Sequence, residues 1–173
     1  MKDKKLLKQA ISVLNTIFGE IAVSVNAYRT HLERLTDENL DDCGQDAIFR
    51  YQMLISQVAI SCTKYVEFCR VYSKTVHELV PHMSKDMNKL QEEIKNRGLV
   101  EFRNDYVGHI HSKALGRPLT ESEYAIVQDK VTQSDMESFL EWLIPSDLGK
   151  IGTLQSVCCQ ISNLQKALDQ QQK

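Results

Sequence analysis

Two long stretches of the chain carry apolar residues at an unbroken alternation of three- and four-residue steps. The first runs from Leu7 to Leu35 and the second from Ile48 to Leu79. Because an α-helix has 3.6 residues per turn, this spacing puts all of these side chains on one face of a helix. It predicts two amphipathic helices, over about 3–35 and 46–79. The acidic segment between them, 36–44, is short enough to be the loop of an antiparallel hairpin.

The remainder of the chain predicts shorter helices. Pro81 ends the second long helix, and Ser84 is the expected N-cap of the next one. Gly98 either closes that helix as a C-cap or marks a kink. The segment that follows, 99–111, has apolar residues on two adjacent stripes, so we expect a helix that packs on two sides.

Three further signals divide the carboxyl-terminal third. A Gly-Arg-Pro loop, beginning near 112, leads to Thr120 and Glu123, which are spaced as a capping box for a helix through about 133. Either Ser134 or Asp135 can cap a short helix that continues to Ile144. A last helix is expected over about 153–170. The chain has only 7 glycines and 3 prolines, which argues against turn-rich sandwiches and barrels. We therefore predict a single all-α domain over 1–173, an up-and-down helical bundle.

Charge and cysteine content limit the classes of function. With a formal net charge of −2, the chain has no global attraction to polyanions, so a nucleic-acid site would have to be a local patch. The five cysteines form no CxxC and no zinc-ligand spacing, and their odd number favours reduced thiols in the cytoplasm. The amino terminus fails as a signal peptide, and we expect no run near the ~20 apolar residues that a membrane span needs.

Known catalytic motifs are scarce in this sequence. It has no P-loop, no GxSxG and no HExxH, and paired carboxylates such as Glu92 and Glu93 lie among lysines on polar helix faces. One segment differs, because residues 97–117 hold four Lys or Arg against two carboxylates, a local charge of +2 with two histidines added. Within it, Arg103 and Asn104 are followed, after four more residues, by His109.

This spacing resembles the R-x(4–6)-H signature of the HEPN superfamily, in which the arginine is commonly followed by asparagine. The preceding pair of long helices is similar to that family's bundle. The length of the chain and its run RNDYVGHIH look more like the abortive-infection HEPN proteins than the shorter toxins that pair with nucleotidyltransferases. Those toxins typically carry, two residues past the histidine, a tyrosine that the partner adenylylates, whereas this chain has His111 there.

The resemblance implies a metal-independent endoribonuclease of a bacterial defence or toxin system. Its substrate would be RNA, and it would need no cofactor. The active cleft of HEPN proteins forms where two copies of the motif meet, so the resemblance also implies a homodimer. An antitoxin or a nucleotidyltransferase is a further partner that it suggests.

The residues of the motif suit that chemistry. Cleavage needs a base for the ribose 2′-hydroxyl, an acid for the 5′-oxygen and a cation for the charge that grows on the phosphate. His109 can act as base or acid because imidazole titrates near neutrality. Arg103 offers a fixed fork of donors to phosphate oxygens, and Asn104 would orient a phosphate or the imidazole. The expected binders of flanking phosphates are His111, Lys113 and Arg117.

Helix geometry restricts how one copy of the motif could act, and Arg103 and His109 also have possible non-catalytic roles. On an unbroken α-helix, Arg103 and His109 would lie about 120° apart with roughly 9 Å of rise between them, so a bend at Gly108 or a second chain is needed. Arg103 could instead pair with Glu101, Asp105 or the acidic loop, and His109 could cap a carbonyl. The chain would then be a non-catalytic module that binds RNA, a nucleotide or a partner protein. A metal site at His109 and His111 lacks an evident third ligand.

Overall fold

The computed structural model describes residues 2–35, 40–107, 115–147 and 155–171. Within these residues the chain forms seven α-helices and no strand, which confirms the all-α prediction. The helices are α1 Lys2–Leu32, α2 Leu40–Leu79, α3 Ser84–Asn96, α4 Leu99–Phe102, α5 Glu121–Thr132, α6 Met136–Leu143 and α7 Val157–Gln170. A 3₁₀ turn, Pro81–Met83, precedes α3, and a π-helical turn, Arg103–Val107, continues α4.

The two long helices form the predicted antiparallel hairpin. Residues later in α1 contact residues earlier in α2, as expected for helices that run in opposite directions. Glu20 of α1 meets Lys64 of α2, and the rings of Tyr28 and Tyr51 lie 6.4 Å apart. The hairpin is the scaffold on which the remaining helices pack, with α6 and α7 against α1, and α3 and α4 against α2.

The core is built from the predicted apolar faces. Leu14, Ile21 and Val25 of α1 have no exposed surface, and neither do Ile55 and Val58 of α2. The buried apolar residues of all seven helices join into one continuous cluster. At the ends of the two predicted stripes the packing is looser, because Leu32 and Ile48 are 40% and 58% exposed.

Three predicted helix starts were wrong. The last helix begins at Val157, after its cap Ser156, and not at about 153. The second long helix begins at Leu40, so the expected loop over 36–44 is helical from its fifth residue onward and Gly44 lies inside the helix. An acidic sequence is favourable in a first helical turn as well as in a loop, so the charge of this segment did not distinguish the two. Ser84 is the first residue of α3 and not its N-cap, because the 3₁₀ turn at Pro81–Met83 leads directly into the helix.

Other boundary predictions were confirmed. Gly98 follows α3 with a φ of +75°, the left-handed conformation that closes a helix. Thr120 and Glu123 form a complete capping box at the start of α5. Of the two candidate caps for α6, Ser134 and Asp135, the N-cap is Asp135. Its side chain accepts a hydrogen bond from the Ser138 backbone N–H at 2.9 Å.

One helix within the described residues, over Lys4–Leu32, is long and apolar enough to cross a membrane by length and composition alone. Its best 18-residue window has a mean hydropathy of 1.4, which corrects the expectation that no stretch comes near this character. Because core helices of soluble proteins pass the same test, and α1 packs against α2 and α7, this is weak support for a membrane span.

Four described cysteines lie in the core as reduced thiols outside any disulfide: Cys62, Cys69, Cys158 and Cys159. Burial raises the pKa of Cys69 and of Cys158 to about 12, so these groups stay protonated at neutral pH. Cys62 has no exposed surface, and burial raises its pKa further still. These buried, protonated thiols act as small packing groups.

Candidate active site

The predicted motif begins where the helical backbone changes type. After four residues of α4, the chain turns through five π-helical residues, Arg103–Val107. A π-helical turn bonds each residue to the fifth one along instead of the fourth, and such turns are frequent at functional sites. The separation of about 120° between Arg103 and His109 applies only to an unbroken α-helix. The helix changes type from Arg103 to Val107, so that condition is not met.

Aromatic packing holds this π-helical turn in place. Phe102, the last residue of α4, has no exposed surface. Its ring lies 5.6 Å from that of Tyr106 and 5.8 Å from that of Tyr124 on α5. The turn also packs against α2. A functional side chain that starts from this turn therefore has a rigid base.

Arg103 is exposed, and its guanidinium is oriented by its neighbour. Nη1 of Arg103 donates a hydrogen bond to Oδ1 of Asn104 at 3.0 Å. The expected alternative, an ion pair with Glu101 or Asp105, is absent from the ion pairs of the described residues. Asn104, which was expected to orient a phosphate or an imidazole, here holds the arginine.

Three predicted site residues lie outside the described residues. His109, His111 and Lys113 all fall in 108–114, between the π-helical turn and the loop that starts at Leu115. The predicted bend at Gly108 lies in the same segment. The pairing of Arg103 with His109 therefore stays a prediction, as does the metal alternative. Within the described residues, no group of three His, Cys, Asp or Glu side chains is placed to hold a metal ion.

Arg117 has a different environment from the one expected. Its Nη1 and Nη2 donate to the two carboxylate oxygens of Glu123 at 2.8 and 2.7 Å, in a fork-to-fork pair. Oε2 of Glu123 also accepts from the Thr120 backbone N–H at 2.8 Å. The hydrogen bonds from Arg117 and Thr120 lower the pKa of Glu123 to about 2. Because the charge of Arg117 is already compensated, its contribution to phosphate binding is reduced.

The third described cation of the basic segment, Arg97, is directed into the bundle. The guanidinium of Arg97 lies 4.3 Å from the centre of the Trp142 ring and 5.8 Å from that of Phe139. Partial burial lowers the pKa of Arg97. Arg97 therefore stabilises the contact between α3 and α6. Among the described cations of 97–117, Arg103 is the one that no described carboxylate or aromatic ring engages.

Sequence reasoning missed two supports of the site. The first is the aromatic cluster around Phe102, for which the four-residue spacing to Tyr106 was a usable signal. The second is the Arg117–Glu123 pair, because the capping box was identified without the partner of its carboxylate. Both were visible as residue types, but their contacts depend on where α5 packs, which no local pattern specifies.

Comparison with known proteins supports the fold. No protein-family model and no curated protein matches the sequence. A solved structure with a similar fold is an integron cassette protein from the mobile metagenome of V. paracholerae, with a TM-score of 0.79. The two chains are 19% identical over 94% of this chain and 95% of that one. At this identity the likeness shows a shared helical fold along nearly the whole chain and nothing about activity.

Proposed function

We propose that this protein is a homodimeric, metal-independent endoribonuclease of HEPN type, acting in the cytoplasm as part of a bacterial defence or toxin system. The observation that carries the proposal is Arg103, an exposed cation on a π-helical turn, oriented by Asn104 and without a described carboxylate partner. An arginine held in this way can receive an anion without first breaking an ion pair.

The reaction follows from the residue types of the motif. His109 removes the proton of a ribose 2′-hydroxyl, whose oxygen attacks the adjacent phosphorus while the bond to the 5′-oxygen breaks. Arg103 donates to the non-bridging oxygens, on which negative charge increases in the transition state. The departing 5′-oxygen takes a proton from an acid, a role open to a His109 of either copy. The products are a 2′,3′-cyclic phosphate and a 5′-hydroxyl.

The test is cleavage of structured and single-stranded RNA in EDTA. We expect the wild type to cut and to leave 5′-hydroxyl ends, which a kinase labels without prior phosphatase treatment. His109→Ala and Arg103→Ala should each lower the rate about a hundredfold or more. Arg70, an exposed arginine of α2 outside the motif, supplies the control, and Arg70→Ala should cleave at the wild-type rate.

Two results would overturn the mechanism: cleavage that stops when metal is chelated, or cleavage that persists in His109→Ala. If no RNA is cut but RNA still binds in a manner that depends on Arg103, the chain is instead a binding module that uses the same segment.

A further inference from the structure

A long groove lies between α1 and α2, on the side of the hairpin away from the core. Residues 15–28 of α1 and 50–60 of α2 line it, and its volume is about 950 Å³. On its floor, Glu20 accepts hydrogen bonds from Ser61 and from Lys64. No other described helix fills the groove, so two neighbouring helix faces meet solvent along about 20 Å.

The rims of the groove carry large apolar side chains that project into solvent. Val23 on α1 is 69% exposed, and Met53 on α2 is 71% exposed. One turn before Met53, Phe49 extends the same stripe at 55% exposure. In the most apolar window of α1, only 28% of the residues are buried. Val23, Met53 and Phe49 are large apolar side chains that the described residues leave uncovered, and exposed apolar surface of this kind marks an interaction site.

Recessed positions lie beside these projections. Gly19 lines the groove, and a side chain added there would meet no atom within 4 Å. Ser24, Ala27 and Ser56 are the other small lining residues. One face of one chain thus offers both apolar projections and a recess lined by small residues. An interface with two-fold symmetry requires this combination, because each copy presents the same patch to the other.

The charges along the groove also favour a second copy of this chain as its occupant. Glu20 is paired with Lys64 at 2.5 Å, and Arg50 with Asp46 at 2.7 Å, so each charged lining residue has its counter-charge within its own chain. A nucleic acid or a strongly charged peptide would find no complementary charge there. A second uncharged apolar surface fits without leaving a charge unpaired.

From these observations we infer that the α1–α2 groove is the dimer interface, occupied by the same groove face of a second copy. Val23 and Met53 of each copy enter the recess of the other, and the two hairpins pack as a four-helix bundle. The inference stands on the exposed apolar surface and its shape, and it does not depend on RNA cleavage.

This interface would border the candidate active site. Ser56 lines the groove, and its side chain lies close enough to the Tyr124 hydroxyl of α5 to influence the pKa of that group. The ring of Tyr124 packs on that of Phe102, the residue before Arg103. A copy seated in the groove would therefore lie beside the helix that supports the π-helical turn.

The test measures association by analytical ultracentrifugation over a range of concentrations. We expect the wild type to sediment as a dimer, with twice the chain mass of 19.8 kDa. Val23→Asp and Met53→Asp should each raise the dimer dissociation constant about tenfold or more. The matched control is Val71→Asp, because Val71 also lies on α2, is 61% exposed and is outside the groove.

Circular dichroism of each variant checks that an exposed substitution has left the fold intact. The inference is overturned if the wild type stays monomeric at its highest soluble concentration, or if Val71→Asp weakens the dimer as much as Met53→Asp does. RNA cleavage is assayed separately, so a dimer that cuts no RNA refutes only the proposed function. A wild-type dimer that Val23→Asp and Met53→Asp leave intact refutes only this interface, and a monomer that cuts RNA refutes both this interface and the homodimeric cleft of the proposed function.

Discussion

At the scale of single residues, Phe102 links the core to the candidate site. It is fully buried, contacts Tyr106 and Tyr124, and directly precedes Arg103. Its neighbour Glu101 is exposed. Substitutions at these two adjacent positions therefore distinguish the loss of a buried ring from the effect of any change at this place in the chain.

We expect Phe102→Ala to lower the free energy of unfolding by about 3–5 kcal/mol, because a large buried ring is replaced by a cavity. Glu101→Ala should change it by no more than about 0.5 kcal/mol. Urea denaturation followed by circular dichroism measures both. Equal losses in the two variants would show that Phe102 does not anchor the π-helical turn as its ring contacts indicate.

At the scale of elements, two helix starts were predicted from a side-chain cap, whereas α7, which begins after its cap Ser156, was expected from about 153. Thr120 and Asp135 supply caps that can be read from a four-residue window. The start of α2 was not predicted, because an acidic run is favourable both in a loop and in a first helical turn. The π-helical turn at Arg103 could not be predicted either, because it depends on the packing of α4 between α2 and α5.

The same distinction applies to the candidate site. The importance of Arg103 followed from a spacing in the sequence, and its exposed position is consistent with that role. The environment of Arg117 was not foreseen, because the side chain that engages it, Glu123, had already been assigned to the helix cap. A residue that serves two partners is identified by its contacts and not by its pattern.

The capping network of α5 gives this element a pH dependence of known sign. Hydrogen bonds from Arg117 and Thr120 hold the pKa of Glu123 at about 2, below its ordinary value of 4.5. A carboxylate with a lowered folded-state pKa stabilises the fold above its unfolded pKa, and that stabilisation is lost as the pH falls toward the folded value. We expect Glu123→Gln to lower the melting temperature at neutral pH, and this deficit to shrink between pH 4.5 and 2.

The control for that experiment is Glu137→Gln, since Glu137 is an exposed glutamate in the first turn of the adjacent helix α6. Thermal unfolding followed by circular dichroism at several pH values measures each variant against the wild type. A deficit in Glu123→Gln that is the same at pH 7 and at pH 2 would contradict the role of the ionised carboxylate.

At the scale of the whole molecule, the continuity of the core predicts how the chain unfolds. All seven helices contribute to one buried apolar cluster. The single tryptophan, Trp142, lies on α6 and contacts α3 through the Arg97 guanidinium and through a hydrogen bond from Nε1 to Glu93 at 3.3 Å. Its fluorescence therefore reports the contact between two short helices, whereas circular dichroism is dominated by the long hairpin.

If the chain is one cooperative domain, as the sequence predicts, the two signals should give the same midpoint in a urea titration. Phe102→Ala should shift both midpoints together, because it removes packing from the shared core. The measurement is repeated with Met53→Asp, so that dissociation of a dimer adds no separate step. Separate midpoints in that variant would show that α3 and α6 unfold independently of the α1–α2 hairpin, and the single-domain prediction would then be wrong.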